Sequence, residues 1–123
     1  MNLTGMKTGD HIEKPWGWEQ IIELNDRYCI KHLFVKHGHR FSQQYHERKR
    51  ETLILVSGGA DLLLRLDAAT EQVTVMVEGE AHPIAPGTVH RVRGTAPEGA
   101  LILEVSTPDV DDVVRLEDDY GRV

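Results

Sequence analysis

Four side chains able to hold a cation fall in two short stretches: Gln44, His46 and Glu51 in QQYHERKRE, and His90 in PGTVHRV. An amide oxygen, a carboxylate and two imidazoles make a mixed donor set. It suits one divalent ion, Zn²⁺, Mn²⁺, Fe²⁺ or Ni²⁺, better than a thiolate site would. Four protein ligands leave positions open on an ion that takes five or six, and a catalytic metal needs those positions. The other histidines read as non-ligands. His37 and His39 flank Gly38 in a turn, and His82 precedes Pro83 in an extended position.

Groups suited to an anion lie nearby. If residues 38–47 run extended, Arg40 and Ser42 share a face with Gln44 and His46. Both then become candidate binders of phosphate or hydroxyl, and a guanidinium can grip phosphate through two parallel bonds. Lys31 shares parity with Leu33 and Val35, so its amine points into the interior or its mouth if those two face the core. A substrate phosphate would satisfy it, and so would snorkelling to solvent. Lys49 and Arg50 belong to the charged insert ERKR and read as solvated loop. Lys31 and Lys49 remain the candidates for a catalytic base, which would require depressed pKa values. Alternation sends Arg91 away from His90 and out of the pocket.

The elements that must position these residues are short. Glycine, proline and Asn-Asp punctuation divides the 123 residues into pieces of strand length, among them WEQIIEL, RYCIKHLFVK, TLILVS, ADLLLRL, EQVTVMVE, HRVR and ALILEVS. No long amphipathic helix is apparent, so the expected fold is all-β: a sandwich, jelly roll or barrel. If TLILV pairs beside the preceding strand, Glu51 comes next to His46. One domain, residues 1–123, is expected, with residues 1–14 an arm or edge strand. Residues 107–123 form an acidic tail, either a short helical turn or an extended edge. From Glu104 to Val123 there are seven acids and two basic residues, read as solvated surface, with Tyr120 and Arg122 able to fold back over the barrel mouth.

The bulk numbers narrow the class. A composition 40% hydrophobic and 28% charged is that of a globular chain. A formal net charge of −6 argues against nucleic-acid or anionic-membrane partners. Cys29 is alone and reads as a small core residue, and no apolar run is long enough to span a bilayer. A cytoplasmic location is the expectation.

GHRFSQQYHERKRETLILVSG resembles the first cupin motif, G-x5-H-x-H-x4-E-x6-G, with Gln44 in place of the first histidine. GEAHPIAPGTVHRVRG resembles the second, G-x5-P-x-G-x2-H-x3-N, with Ala85 and Gly94 as departures. KPWGWEQ, FSQQYHERKRE and DDVVRLEDDYGR look like the cupin domain of type II phosphomannose isomerases, in its stand-alone form. The resemblance implies a single double-stranded β-helix jelly roll with Gln44, His46, Glu51 and His90 as a zinc set. It also implies a metal-dependent aldose–ketose isomerase acting on mannose 6-phosphate and fructose 6-phosphate, with a small-molecule sugar phosphate as ligand. The alternatives are a cupin oxygenase using the same ligands and a non-catalytic sugar- or nucleotide-binding cupin. Fold analogy implies a homodimer.

Overall fold

A computed structural model describes residues 5–123, and residues 1–4 of the expected arm lie outside them. Eleven strands follow one another: β1 (His11–Lys14), β2 (Gly17–Leu24), β3 (Cys29–Val35), β4 (Gln43–Tyr45), β5 (Glu51–Gly58), β6 (Ala60–Arg65), β7 (Glu71–Val75), β8 (Ala81–Ile84), β9 (Val89–Gly94), β10 (Ala100–Ser106) and β11 (Val114–Glu117). They form two antiparallel sheets, ordered β1-β2-β3-β10-β5-β8 and β11-β4-β9-β6-β7. This is the cupin double-stranded β-helix. No helix among the described residues is long and apolar enough to cross a membrane.

The alternation of side chains explains where the core stops and the site begins. On β3, Cys29, Lys31, Leu33 and Val35 face inward; on β5, Glu51, Leu53 and Leu55 do; on β10, Ala100, Ile102, Glu104 and Ser106 do. Leu33, Val35, Leu53, Leu55 and Ile102 join Leu62, Val92 and Phe41 in one apolar cluster between the sheets. Toward one end of the barrel the same inward rows turn polar, at Lys31, Glu51 and Glu104. Neighbouring strands keep this step aligned, with Glu104 opposite Lys31 on one side and Leu53 on the other. The hydrophobic filling thus forms the floor of a polar chamber.

Two departures from the family motif have local causes. Ala85, Pro86, Gly87 and Thr88 make a tight turn closed by a Thr88 N–H to Ala85 carbonyl bond of 3.2 Å. Proline pre-sets the second turn position and Gly87, at φ +83°, takes the third, so the proline belongs at 86. At Gly94, a Cβ would stand 2.6 Å from the Lys36 carbonyl oxygen and 2.7 Å from that of Val35, leaving no room for asparagine.

The ends of the chain differ from expectation in one respect. The arm supplies an edge strand, and the tail takes the extended alternative, pairing with β4. Its acids, however, are a solvated surface only in part: Asp111, Glu117 and Asp119 are exposed, yet most of them are engaged. Asp112 is buried, Glu117 and Asp119 meet Arg91 and Arg40, and Asp118 holds Arg122 through two side-chain bonds of 2.9 Å. Chiefly through that guanidinium, the Asp118 carboxyl falls from 3.8 to about 2. A depressed carboxyl stabilises the fold fully above its unfolded pKa, and the contribution fades as pH drops through the folded one. The melting-temperature gap between wild type and Asp118→Asn should therefore be constant above about pH 4 and close toward pH 2. A gap unchanged across that window would rule this anchoring out.

Candidate metal centre

The expected strand over 38–47 shortens to β4, and β4 and β5 belong to opposite sheets. Glu51 therefore does not reach His46 as a strand neighbour; it comes across the barrel interior. Glu51 Oε1 lies 2.8 Å from His90 Nε2 and 3.4 Å from His46 Nε2, and all three side chains are buried. One ligand atom from each falls within 4.8 Å of the others.

The hydrogen bonds behind the two rings fix their tautomers. His46 Nδ1 donates to the Asp112 carbonyl, and His90 Nδ1 donates to the Thr88 carbonyl at 2.9 Å. A carbonyl only accepts, so each neutral ring carries its proton on Nδ1 and presents a bare Nε2. Both Nε2 atoms are buried without a hydrogen-bond partner, and Glu51 Oε2 has the Lys49 ammonium 3.2 Å away. Lone pairs this close in a buried site repel unless a proton or a cation lies between them. Nδ1-to-carbonyl bonds of this kind are how proteins aim imidazoles at a metal.

The support around His46 comes from two separated segments. Its carbonyl accepts the Gly87 N–H at 2.8 Å. The Asp112 carboxylate accepts the N–H groups of Glu47, Arg48 and Lys49 at 3.1, 2.7 and 2.8 Å. One residue of the tail thus holds both the ring and the loop that follows it.

Gln44 pairs with His90 across β4 and β9, and lines a cavity of about 190 Å³ together with His46 and Glu51. Ser42, fully buried, does not line that cavity; its hydroxyl donates to Gln44 Oε1 at 2.7 Å. Its place is behind the amide. Arg40 is also absent from the lining. β4 begins only at Gln43, so the alternation used to aim Arg40 inward does not extend back to it, and its guanidinium bonds Asp119 at 2.8 and 3.0 Å. Arg91 faces away from His90, covered by Phe41 and Glu117.

Lys49 overturns its reading as solvated loop. It is 5% exposed, and its ammonium lies 3.2 Å from Glu51 Oε2 and 3.1 Å from Glu104 Oε2. Burial pushes its pKa down, but Glu104 and Glu51 outweigh burial and hold it above the usual lysine value. A lysine kept charged cannot be the base proposed for it. Glu51 is pushed up by burial, yet Lys49 and the two imidazoles bring it well below the usual carboxylate range. Lys31 lines the cavity 3.7 Å from Glu19 Oε1, so its amine does not snorkel. Sequence reasoning missed Glu104, although ALILEVS sets it on the parity of Ile102. Burial raises its pKa against the pull of Lys49.

Comparison with known proteins finds a match over residues 2–118 to the family model described as Mannose-6-phosphate isomerase C-terminal. The chain is 33% identical over 121 residues to the alginate biosynthesis protein AlgA of Pseudomonas putida, covering 94% of this chain and 24% of that protein. It is 30% identical over 118 residues to a mannose-1-phosphate guanylyltransferase of Salmonella montevideo, again covering 94% and 24%. It thus spans about a quarter of the length of these relatives. Among solved structures, the capsular polysaccharide assembling protein CapF of Staphylococcus aureus superimposes with a TM-score of 0.76 at 19% identity, covering 88% of this chain and 34% of that one. The last likeness concerns the fold alone.

Proposed function

Because the chain belongs to the Mannose-6-phosphate isomerase C-terminal family, we propose that it is a metal-dependent sugar-phosphate isomerase interconverting mannose 6-phosphate and fructose 6-phosphate. The observation that carries this reading is the pair of bare, buried Nε2 atoms facing Glu51, which lines a polar cavity together with His46. His46, Glu51 and His90 would hold one divalent ion, Zn²⁺ in the first instance, with the Gln44 oxygen as fourth ligand. The bound ion supplies Lewis-acid stabilisation of developing oxyanion charge.

The remaining work falls to the chain's own groups. Lys49 is a fixed buried cation that balances Glu51 and Glu104 beside the reacting carbons. Glu104, a buried carboxyl facing the cavity with its pKa raised by burial, is the better candidate for carrying a proton between adjacent carbons. Ser42 orients the Gln44 amide, and Asp112 orients His46.

A coupled assay with mannose 6-phosphate, on protein of measured metal content, is expected to show conversion that a chelator abolishes and Zn²⁺ or Mn²⁺ restores. Absence of conversion with every restored metal would remove this substrate pair, and oxygen uptake instead would select the oxygenase alternative. A cytoplasmic homodimer belongs to the same reading. The β7 edge, with Val73 51% and Val75 72% exposed, is the strand offered for pairing. Light scattering at micromolar concentration should give twice the chain mass; a monomer contradicts the dimer.

A further inference from the structure

The cavity has a second polar wall that the metal ligands do not use. Arg115 on β11 is paired with Gln44, and Gln44 is paired with His90 on its other side. Directly opposed residues share a face of the sheet, so His90, Gln44 and Arg115 form one row across β9, β4 and β11. With strands about 4.8 Å apart, this row sets the Arg115 backbone roughly 10 Å from that of His90. Among the described residues the Arg115 guanidinium makes no hydrogen bond or ion pair, and its Nε is buried without a partner. It lines the cavity.

Lys14 and Lys31 line the same cavity, and their ammonium groups share a single carboxylate oxygen, Glu19 Oε1, at 4.0 and 3.7 Å. The other acids of the lining are committed elsewhere or exposed. Glu51 and Glu104 share Lys49, Asp112 accepts backbone N–H groups, and Asp111 is open to solvent. Arg122 is neutralised by Asp118. Burial lowers the Lys14 pKa, Glu19 opposes that, and Lys31, Arg115 and Arg122 lower it further, as expected of cations crowded together. One carboxylate does not balance three cations, and although Asp118 acts on Arg115 electrostatically, a half-buried guanidinium with no hydrogen bond or ion pair among the described residues is costly until an anion reaches it.

We infer that Arg115, with Lys14 and Lys31, forms an anion subsite that takes the phosphate monoester of a small phosphorylated substrate, with Arg115 as the principal donor. This deepens the isomerase reading and rests on it for the sugar half of the ligand only. The row from His90 to Arg115 would hold the phosphate at one end of the substrate and the carbonyl carbons at the other. The subsite also replaces the one expected at Arg40, whose charge Asp119 already takes.

The test is calorimetric titration of wild type and Arg115→Gln with mannose 6-phosphate, mannose and inorganic phosphate. Loss of a charge-assisted bidentate contact should weaken mannose 6-phosphate by on the order of 10–100-fold, with metal content unchanged. Lys14→Gln should weaken it less. If Arg115→Gln does not fold, Arg115→Lys carries the same reading, keeping charge but losing the fork. Wild-type affinity for mannose 6-phosphate in these variants would overturn the subsite, as would a wild type that binds neither phosphate probe. Inorganic phosphate bound as tightly as the ester would make the free anion the ligand and overturn the monoester assignment. The two readings separate cleanly. Arginine-dependent phosphate binding without isomerisation keeps the subsite and removes the isomerase, whereas isomerisation at unchanged KM in Arg115→Gln does the reverse.

Discussion

Replacing His90 with alanine is expected to weaken divalent-metal binding by more than about 100-fold, so that dialysed protein retains almost none. Losing only a hydrogen-bond partner behind a ligand typically costs 10–100-fold, and here a donor atom itself is removed. The geometry leaves no substitute. The other two donors of the cluster, His46 and Glu51, are already engaged, and no further His, Cys, Asp or Glu group of this kind is found among the described residues. His46→Ala should act alike. His82→Ala is the control: His82 Nε2 is also without a partner, but it lies outside the cluster. Because a ligand that binds only the folded state stabilises it by mass action, Zn²⁺ should raise the melting temperature of wild type and His82→Ala but not of His90→Ala. Metal content by elemental analysis, unchanged in His90→Ala, would end the ligand assignment.

What could be read from the sequence followed from strand alternation. Lys31 inherits its inward direction from Leu33 and Val35, and Glu51 inherits its own from Leu53 and Leu55, because those strands are regular and one face of each is buried. The same logic would have found Glu104 on β10. Alternation fails where a strand is not continuous. Arg40 precedes the first paired residue of β4, so its parity with Gln44 predicts nothing about its direction. It is also silent on which strands meet. His46, just past the end of β4, and Glu51, the first residue of β5, are five positions apart, yet β4 and β5 belong to opposite sheets and Glu51 makes its contact across the interior.

The tail was opaque for a further reason. A run of acids states only its charge, and its partners here are Arg91 and Arg40 together with the backbone N–H groups of the loop after His46. Such long-range pairings leave no local periodicity. Lys49 shows the same limit: in a run of charged residues nothing distinguishes the one that turns inward. Once it is buried, two carboxylates depend on it.

That dependence gives the second large effect. Lys49→Met should destabilise the metal-free protein by roughly 3–5 kcal/mol, the usual cost of removing one partner from a buried ionic cluster. For a domain of this size that is a fall in melting temperature of roughly 10–20 °C. The penalty arises from what is left behind rather than from the lost lysine contacts, since Glu51 and Glu104 are 3% and 6% exposed and would face each other without the ammonium that pairs with both. Adding Glu104→Gln removes one of those charges, so the double variant should be more stable than Lys49→Met alone, a coupling that a double-mutant cycle measures directly. Metal binding gives an independent reading of the same physics. A divalent ion on Glu51 offsets the charge that Lys49 no longer balances, so Zn²⁺ should recover more stability in Lys49→Met than it adds to wild type. If Lys49→Met melts within a few degrees of wild type, or Glu104→Gln worsens it, the cluster is not held together by this lysine, and the chamber's electrostatics must be reassigned to groups other than Lys49.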